Sequence, residues 1–504
     1  MLAGSWVRLR AAGGSAWSLD PLFEIVRHGA PDGWKAANEA AFGDLFGSGG
    51  GRYRDEARKA VALRAPDQAG ENGVPFVAII HPSNPDSGPY SGMSIAIFPI
   101  PGGPCLLTFG VGTNGITPDD EILGRPGHAR KVQAMCAWLN NKYGQGNLVA
   151  WAKQDPVRTD LPVPAEIVAR FPQYKGVFDR YGSVLYGVFA PTSDDTALRE
   201  ALTAFLDLMF AERGHEPLTQ HKPSFEAIRS QWFAHLMPDV SESDVLSLLK
   251  SRRYAVIQGP PGTGKTKMAI DLIRGAYGGN GQSIQFHPNT TYENFVGGLA
   301  PVESSDALGL RFAPAKGQLM LAAEAATANP GREFLLHIDE VNRADLSKVL
   351  GEAIYLFEPN DERTIEMPYD FGAPFGRQLT LPKNLHVLGT MNTADRSLAI
   401  VDVAIRRRFA FTKLWPQMRI VEAYGGPIMQ DAFKKLTAIF VEHASGDAFD
   451  LIPGHSYFLE KDDDKAKRQL KVTLAPLLEE YLSQGYVGGF SEPVRGYLQW
   501  IDAL

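Results

Sequence analysis

One segment constrains this chain more than any other. A short apolar strand, residues 254–258, leads directly into Gly-Pro-Pro-Gly-Thr-Gly-Lys-Thr and then into a helical stretch, 267–277. Glycines at this density let the backbone wrap around a phosphate, so that several N–H groups and a helix N-terminus meet its negative charge. The segment therefore predicts a P-loop that binds the phosphates of a nucleotide, made by Gly259, Pro260, Pro261, Gly262, Thr263, Gly264, Lys265 and Thr266.

Two side chains of this loop have distinct expected roles. We expect Lys265 to reach the β- and γ-phosphates and Thr266 to place its hydroxyl on Mg²⁺. The alternative is a glycine-rich turn with an incidental lysine. The strand before the loop and the helix after it favour the nucleotide site.

A second apolar run, residues 333–338, ends in two carboxylates, Asp339 and Glu340. This pattern is typical of a buried parallel strand. We expect Asp339 to hold the Mg²⁺ shell and Glu340 to polarise the attacking water, because hydrolysis needs an acceptor that the metal ligand cannot supply. An acidic pair on the surface is the alternative. His337 interrupts the run, and we interpret it as a core histidine with satisfied hydrogen bonds rather than a ligand.

Composition excludes several protein classes. A length of 504 residues suggests about three domains, and no apolar run approaches the roughly 20 residues of a membrane span. The first residues do not form a secretory signal, so we expect a cytoplasmic protein without membrane contact. The formal net charge of -7 supplies no overall attraction to nucleic acid. Cys105 and Cys136 are too few for a disulfide framework or a zinc site, and we expect two buried thiols.

The turn-rich first part of the chain predicts an α+β domain over residues 1–220. Short apolar runs at 76–80, 93–100 and 105–110 predict antiparallel strands, and residues 128–143 and 195–213 have helical spacing, with Asp194 or Asp195 as a cap. The polar segment 213–225 marks the first boundary. A second boundary near Trp415 separates the nucleotide-binding domain, 221–415, from a helical domain, 416–504.

Three further segments carry a family resemblance. The two carboxylates open the run DEVNRADLSKVLGE (339–352), which is followed by LGTMNTADRS (388–397) and AIRRRF (404–409). These segments resemble the AAA+ motor of the McrB family, the NTPase subunit of modification-dependent restriction systems. The likeness also includes QFHP (285–288), YENFVGG (292–298), PGHSYF (453–458) and the closing helix at 474–482, and it covers about residues 240 to 490.

The resemblance implies an α/β AAA+ P-loop core with a C-terminal helical lid, preceded by the α+β N-terminal domain. It places Asn392 at the sensor position, where an amide can bind both the γ-phosphate and the lytic water, with Thr393 and Asp395 in the same signature. It also implies that the substrate is GTP or ATP. His455 lies in the lid segment, where we expect it to pack rather than to contact nucleotide.

Arg406, Arg407 and Arg408 end a predicted helix. The planar, permanently charged guanidinium suits stabilisation of a transferring phosphoryl group, and we expect at least one of the three to act in trans as an arginine finger. A finger at a subunit border makes hydrolysis depend on assembly, so we expect a homo-oligomeric ring, a hexamer by resemblance. The alternative is a solvated basic helix end.

In the McrB family the N-terminal domain varies and recognises DNA, while the motor binds a separate nuclease. The partners implied are an McrC-like nuclease subunit and DNA, since this chain has no nuclease constellation of its own. The pair Asp119 and Asp120 predicts a turn or helix cap rather than a metal site. Residues 73–138 resemble the N-terminal domain of some McrB-type proteins, and DNA recognition, protein binding and ring scaffolding all stay open for it. An aromatic cage for a base could draw on Trp6, Trp17, Trp34, Tyr53 and Tyr90.

Three functions are compatible with these patterns. The first is a Mg²⁺-dependent GTPase or ATPase motor that translocates on DNA and activates a nuclease in antiphage defence. The second is a MoxR-like remodelling ATPase that acts on protein, which the segment 391–397 argues against. The third is a nucleotide-gated scaffold whose front domain senses a phage product. A neighbouring nuclease gene would favour the first, and a neighbouring von Willebrand-type protein would favour the second.

Overall fold

The structure is a computed structural model, and it describes residues 34–47, 49–64, 74–100, 103–190, 195–303, 310–358, 361–394 and 403–504. The chain divides into two compact units. The front unit runs to Met237 and includes Val441–His443, and the second unit comprises Pro238–Phe440 and Ala444–Leu504.

The front unit contains a six-stranded sheet in which every pairing is antiparallel. The strand order is β1-β2-β3-β4-β6-β5. The three apolar runs predicted to be strands are confirmed as β2, β3 and β4, because each is short, apolar and bounded by turns. The strands are β1 (Ala62–Arg64), β2 (Val77–Ile80), β3 (Met93–Ile100), β4 (Gly103–Val111), β5 (Ala150–Ala152) and β6 (Leu185–Phe189).

Helices of the front unit pack on this sheet. Both predicted helices are present, as α3 and α6, and the predicted cap Asp194 lies outside the described residues. Phe205 of α6 stacks on Phe109 of β4 with ring centroids 4.5 Å apart, which anchors the helix to the sheet. The helices are α1 (Trp34–Gly43), α2 (Asp120–Leu123), α3 (Pro126–Tyr143), α4 (Ala165–Val168), α5 (Lys175–Tyr181), α6 (Asp195–Glu212) and α7 (Lys222–Phe233).

The segment 213–225, predicted to be a boundary, is instead held within the front unit. Arg213 forms a buried ion pair with Asp119, N–O distance 2.9 Å. Arg52 donates to Ser224 at the start of α7, and α7 contacts α3 and α6. The division between compact units therefore falls at Met237, later than residue 220.

The cysteines, Asp119 and the aromatic residues singled out in the front unit have different environments. Cys105 and Cys136 are free and buried, as predicted. Asp119 precedes α2, but its side chain does not cap that helix, because it accepts from Met93 N and pairs with Arg213. Tyr53 is fully buried and donates to Asp207, so it cannot stack on a base. Trp6 and Trp17 lie outside the described residues.

The second unit contains a five-stranded parallel sheet in the order β15-β7-β14-β11-β8. The predicted α/β core is confirmed. Side chains alternate between two apolar clusters, so that Val256 faces one side and Ala255 the other, which is why the strands read as nearly continuous apolar runs. The strands are β7 (Tyr254–Gly259), β8 (Gly281–Gln285), β11 (Phe334–Asp339), β14 (Leu385–Asn392) and β15 (Ala410–Lys413).

In the described part of this core, two antiparallel hairpins and six α-helices accompany the sheet. The hairpins are β9 (Gly297–Glu303) with β10 (Leu310–Lys316), and β12 (Thr364–Glu366) with β13 (Gln378–Thr380). The helices are α8 (Glu242–Arg252), α9 (Lys265–Arg274), α10 (Tyr292–Phe295), α11 (Gln318–Ala328), α12 (Leu346–Leu350) and α13 (Val403–Arg408). Helices α8 and α9 share an apolar cluster with one face of the sheet, and α11 belongs to the cluster on the other face.

Residues 418–504 are mostly helical, and apart from Val441–His443 they belong to the same compact unit as the core. The separation of a core from a lid at residue 415 therefore stays a prediction. The helices are α14 (Met418–Tyr424), α15 (Pro427–His443), α16 (Gly446–Phe449), α17 (Asp463–Gln469), α18 (Ala475–Ser483) and α19 (Ser491–Asp502), with one π-helical turn at Leu470–Leu474.

A buried ion pair ties the front unit together, and it generates a stability prediction. Arg52 Nε donates to Asp207 Oδ1 at 2.6 Å, and both side chains are almost completely buried.

Asp207→Ala leaves the guanidinium without a counter-charge in the interior. We expect it to lower the free energy of unfolding by about 3–5 kcal/mol, measured by urea denaturation of the full chain. The matched control is Asp160→Ala, which removes an exposed pair with Arg158 and should leave the urea midpoint almost unchanged. Equal midpoints for the two variants would contradict the assignment.

Candidate nucleotide site

The loop between β7 and α9 has the backbone of a phosphate cradle. Gly262 and Gly264 have φ of +79° and +81°, a conformation that favours glycine. A side chain at Gly259 would also place its Cβ 2.2 Å from Leu414 O. Glycine is therefore required at these positions by conformation and by space, as the sequence pattern predicts.

Lys265, the first residue of α9, has its ammonium at the centre of the site. Nζ donates to Gly259 O at 3.0 Å, to Pro260 O at 2.8 Å and to Asn392 Oδ1 at 2.7 Å. Burial lowers the pKa of Lys265 to about 8, and the nearby carboxylates of Glu340 and Asp339 oppose that shift. The three partners use the three donors of the ammonium.

Asp339 ends β11 beside the P-loop. Thr266 Oγ1 donates to Asp339 Oδ1 at 3.0 Å, and Thr390 donates to the same oxygen. The two predicted metal ligands therefore lie in contact. A hydroxyl and a carboxylate are hard oxygen donors that suit Mg²⁺, which takes its remaining ligands from water and substrate phosphates. Within the described ranges no group of three or more His, Cys, Asp or Glu residues is arranged to hold a metal, and a P-loop magnesium site needs none.

Glu340 follows in a left-handed conformation, with φ of +53°. Its Oε1 accepts from Asn392 Nδ2 at 2.6 Å, and Arg343 Nε lies 3.5 Å from Oε2. That second oxygen is buried and has no hydrogen-bond partner. Burial raises the pKa of Glu340, Asp339 adds to the rise, and Arg343 and Lys265 oppose it. The carboxylate is thus a stronger proton acceptor than an exposed glutamate.

Asn392, at the end of β14, connects the two halves of the site. Its oxygen accepts from Lys265 and its nitrogen donates to Glu340. The parallel pairing of β14 with β7 places Asn392 opposite Gly259, which fixes this position by strand register. Thr393 N donates to Gly259 O at 3.1 Å, whereas Asp395 lies outside the described residues.

The three predicted finger arginines of α13 have different environments. Arg408 is buried, with its Nε 3.1 Å from Glu358 Oε1 and its Nη1 donating to Ala404 O. Arg406 lies 5.4 Å from the centre of the Phe411 ring. Arg407 is exposed. Arg408 is therefore already engaged within its own chain, whereas Arg406 and Arg407 both have the exposure that a group acting on another subunit needs.

A contact that sequence reasoning did not anticipate joins the C-terminal helical region to the P-loop. Gly454 N donates to Pro261 O and Ser456 N donates to Gly262 O, each at 3.0 Å. A Cβ at Gly454 would lie 2.1 Å from the carbonyl carbon of Gly262, so only glycine fits. In the sequence, this contact is indicated only by the PGHSYF segment, residues 453–458. His455 is packed as expected: it is buried, burial lowers its pKa to about 4, and Nδ1 accepts from Gln417 N.

Among the described residues, no helix combines the length and apolar character needed to cross a lipid bilayer.

Comparison with known proteins is consistent with this geometry. Residues 255–409 match the AAA domain of the dynein-related subfamily. The chain is 33% identical over 297 residues to the Type IV methyl-directed restriction enzyme EcoKMcrB subunit of Escherichia coli (strain K12), covering 53% of this chain and 60% of that protein. It is 28% identical over 204 residues to the Type II restriction enzyme BsuMI component YdiS of Bacillus subtilis (strain 168), covering 33% and 59%.

The chain thus spans about three fifths of the length of these two relatives. The residues that match the AAA domain include a P-loop whose Lys265 lies with Asp339, Glu340 and Asn392 at one edge of a parallel sheet. The chain therefore contains an AAA domain of the dynein-related subfamily and is similar to the McrB subunit over about half of its length.

Proposed function

We propose that the chain is the Mg²⁺-dependent GTP- or ATP-hydrolysing motor of a restriction complex. The observation that carries the proposal is the hydrogen-bonded chain from Lys265 through Asn392 to Glu340. In it the ammonium of Lys265, the amide of Asn392 and the carboxylate of Glu340 are directly linked, which supports their roles as phosphate ligand, sensor and proton acceptor. Hydrolysis of a phosphoanhydride by P-loop enzymes needs these three groups.

Binding of nucleotide would change the partners of Lys265. Its ammonium now contacts two backbone carbonyls and Asn392, which are neutral acceptors. Phosphate oxygens are stronger acceptors than these, because a hydrogen bond between two charged groups is stronger than one from a charged donor to a neutral oxygen. Thr266 and Asp339 would hold Mg²⁺, which when bound neutralises charge on the phosphates.

Glu340 is the group we assign as general base. Its raised pKa suits it to accept a proton from water, and its buried Oε2 has only the ion-pair contact with Arg343 at 3.5 Å beside it. Asn392 donates to the other oxygen and so orients the carboxylate. If the Lys265 ammonium binds phosphate instead of Asn392 Oδ1, that oxygen loses its hydrogen-bond donor. The hydrogen bonding of the Asn392 amide would then depend on whether nucleotide is bound. We retain Asp395 as a further candidate from the family signature.

The positive charge that stabilises the transferring phosphoryl group would come from a neighbouring subunit. We propose that Arg407, exposed at the end of α13, reaches the nucleotide of a neighbouring subunit in a homo-oligomeric ring, a hexamer by resemblance. An active site completed in trans couples each hydrolysis event to the neighbouring protomer.

The partners proposed are DNA and an McrC-like nuclease subunit. Both relatives are named as components of restriction enzymes, one of them methyl-directed, which supports a role in antiphage defence. We propose that turnover drives translocation on DNA and activates the nuclease, with the front unit as the recognition module. A MoxR-like remodelling ATPase is the competing function.

Phosphate release separates these functions. The purified chain is assayed with GTP and with ATP, each with and without DNA and the product of the neighbouring gene. GTP turnover that the neighbouring protein stimulates supports the restriction motor. ATP turnover indifferent to DNA and to that protein supports the remodelling ATPase instead.

Glu340→Gln should bind nucleotide but turn over at least about 100-fold more slowly, because the amide cannot accept the proton. Single-turnover hydrolysis and equilibrium nucleotide binding are measured on the same preparation. Glu333→Gln, an exposed residue just before the other end of β11, is the matched control and should hydrolyse normally. Normal turnover in Glu340→Gln would remove Glu340 from the role of base.

Arg407→Ala should retain nucleotide binding and lose the rise in specific activity with protein concentration, with a fall in kcat of about 1,000-fold if it is the finger. Turnover is followed across a dilution series. Arg408→Ala should instead lower the melting temperature, since it breaks the buried pair with Glu358. Unchanged activity in Arg407→Ala would move the finger to Arg406.

A further inference from the structure

A line of side-chain hydrogen bonds crosses three neighbouring strands and ends at Asp339. Ser283 Oγ on β8 lies 2.8 Å from His337 Nδ1 on β11, and His337 Nε2 lies 3.3 Å from Thr390 Oγ1 on β14. Thr390 in turn donates to Asp339 Oδ1. His337 and Thr390 are buried, whereas Ser283 is exposed at the edge of the sheet.

The direction of each hydrogen bond in this line is determined. A carboxylate only accepts, so the Thr390 hydroxyl donates to Asp339 and uses its lone pair toward His337. His337 must then carry its proton on Nε2, which leaves Nδ1 of the neutral ring to accept from Ser283. All three bonds point toward the carboxylate, an arrangement in which each bond strengthens the next.

We propose that His337 and Thr390 are positioning residues for the magnesium site, which they serve by fixing the carboxylate of Asp339. This inference rests on the proposed nucleotide function. Oδ1 receives two hydroxyls, from Thr390 on one side and from Thr266 on the other. Two hydrogen bonds to one oxygen restrain the rotation of the carboxylate, so its free lone pairs favour one orientation. Partners that orient metal-binding groups in this way set metal affinity as well as geometry.

The position of His337 supports this role over simple packing. The other residues of β11 before Asp339 are Phe334, Leu335, Leu336 and Ile338, and all of them are apolar and buried. A buried imidazole among them costs free energy unless both nitrogens are satisfied. The two groups that satisfy it are the strand neighbour Ser283 and the residue that holds Asp339.

Thr390→Val removes the hydroxyl at nearly constant volume, and Thr390→Ser keeps it. In the full chain, binding of a fluorescent GTP or ATP analogue is titrated with Mg²⁺. We expect the Mg²⁺ midpoint of Thr390→Val to rise about tenfold, because losing an orienting partner typically weakens metal binding by 10- to 100-fold. Thr390→Ser should restore the midpoint to within about twofold of the wild type, since its hydroxyl can still donate to Asp339.

His337→Leu tests the next link, and His386→Leu is its matched control. His386 is also buried in this sheet, on β14, where it hydrogen-bonds to Tyr277 and has no hydrogen bond to Asp339. Both substitutions should lower the melting temperature, because each leaves a buried partner unsatisfied. Only His337→Leu should raise the Mg²⁺ midpoint.

The outcomes separate this inference from the function on which it rests. Unchanged Mg²⁺ midpoints in Thr390→Val and His337→Leu, with only melting temperatures lowered, would overturn the positioning role and leave the nucleotide site intact. A wild-type chain that binds neither analogue at any Mg²⁺ concentration would remove the proposed function, and this inference with it. If His337→Leu does not fold, Thr390→Val and Thr390→Ser still decide the question.

Discussion

The hydrogen bond from Lys265 to Asn392 joins side chains 127 residues apart in the sequence, and the rest of the site depends on the strand pairing that makes it possible. Asn392 lies opposite Gly259 in the parallel register of β14 and β7. A parallel sheet brings the carboxyl ends of its strands to one edge. The P-loop, the acidic pair and the Asn392 amide each lie at such an end, so one topology places all of them together.

Burying the Lys265 ammonium costs free energy, and the hydrogen bonds of the surrounding residues offset that cost. Lys265 is almost fully buried, and its ammonium is satisfied by three oxygens. Gly454 and Ser456 approach the P-loop so closely that their backbone amides replace water on the carbonyls of Pro261 and Gly262. A change at the P-loop therefore bears directly on the C-terminal helical region. That contact offers a physical route by which nucleotide occupancy reaches the rest of the unit.

The sequence alone was sufficient to predict the components that short motifs encode. The P-loop lysine and the acidic pair are predicted to follow strands because motif and strand pattern coincide there, whereas Asn392 is singled out by the family resemblance. Other features depend on long-range contacts that local patterns do not encode. Arg408 appeared equivalent to Arg406 and Arg407 until its pairing with Glu358 was visible.

His337 was correctly expected to be a satisfied core histidine, but its link to Asp339 through Thr390 requires the register of three strands. The first domain boundary was placed too early because Arg52 holds α7 within the front unit.

In the proposed function every later event depends on nucleotide binding by Lys265, and calorimetric titration of the full chain with nucleotide and Mg²⁺ measures that binding directly. The account predicts one nucleotide per chain and at least about tenfold weaker binding in Lys265→Ala, since a hydrogen bond between charged groups contributes roughly 1.5–3 kcal/mol. Lys267→Ala is the matched control, because Lys267 is exposed on the same helix and pairs only locally with Asp271. Equal affinities in the wild type and Lys265→Ala would contradict the assignment of this loop as the phosphate site.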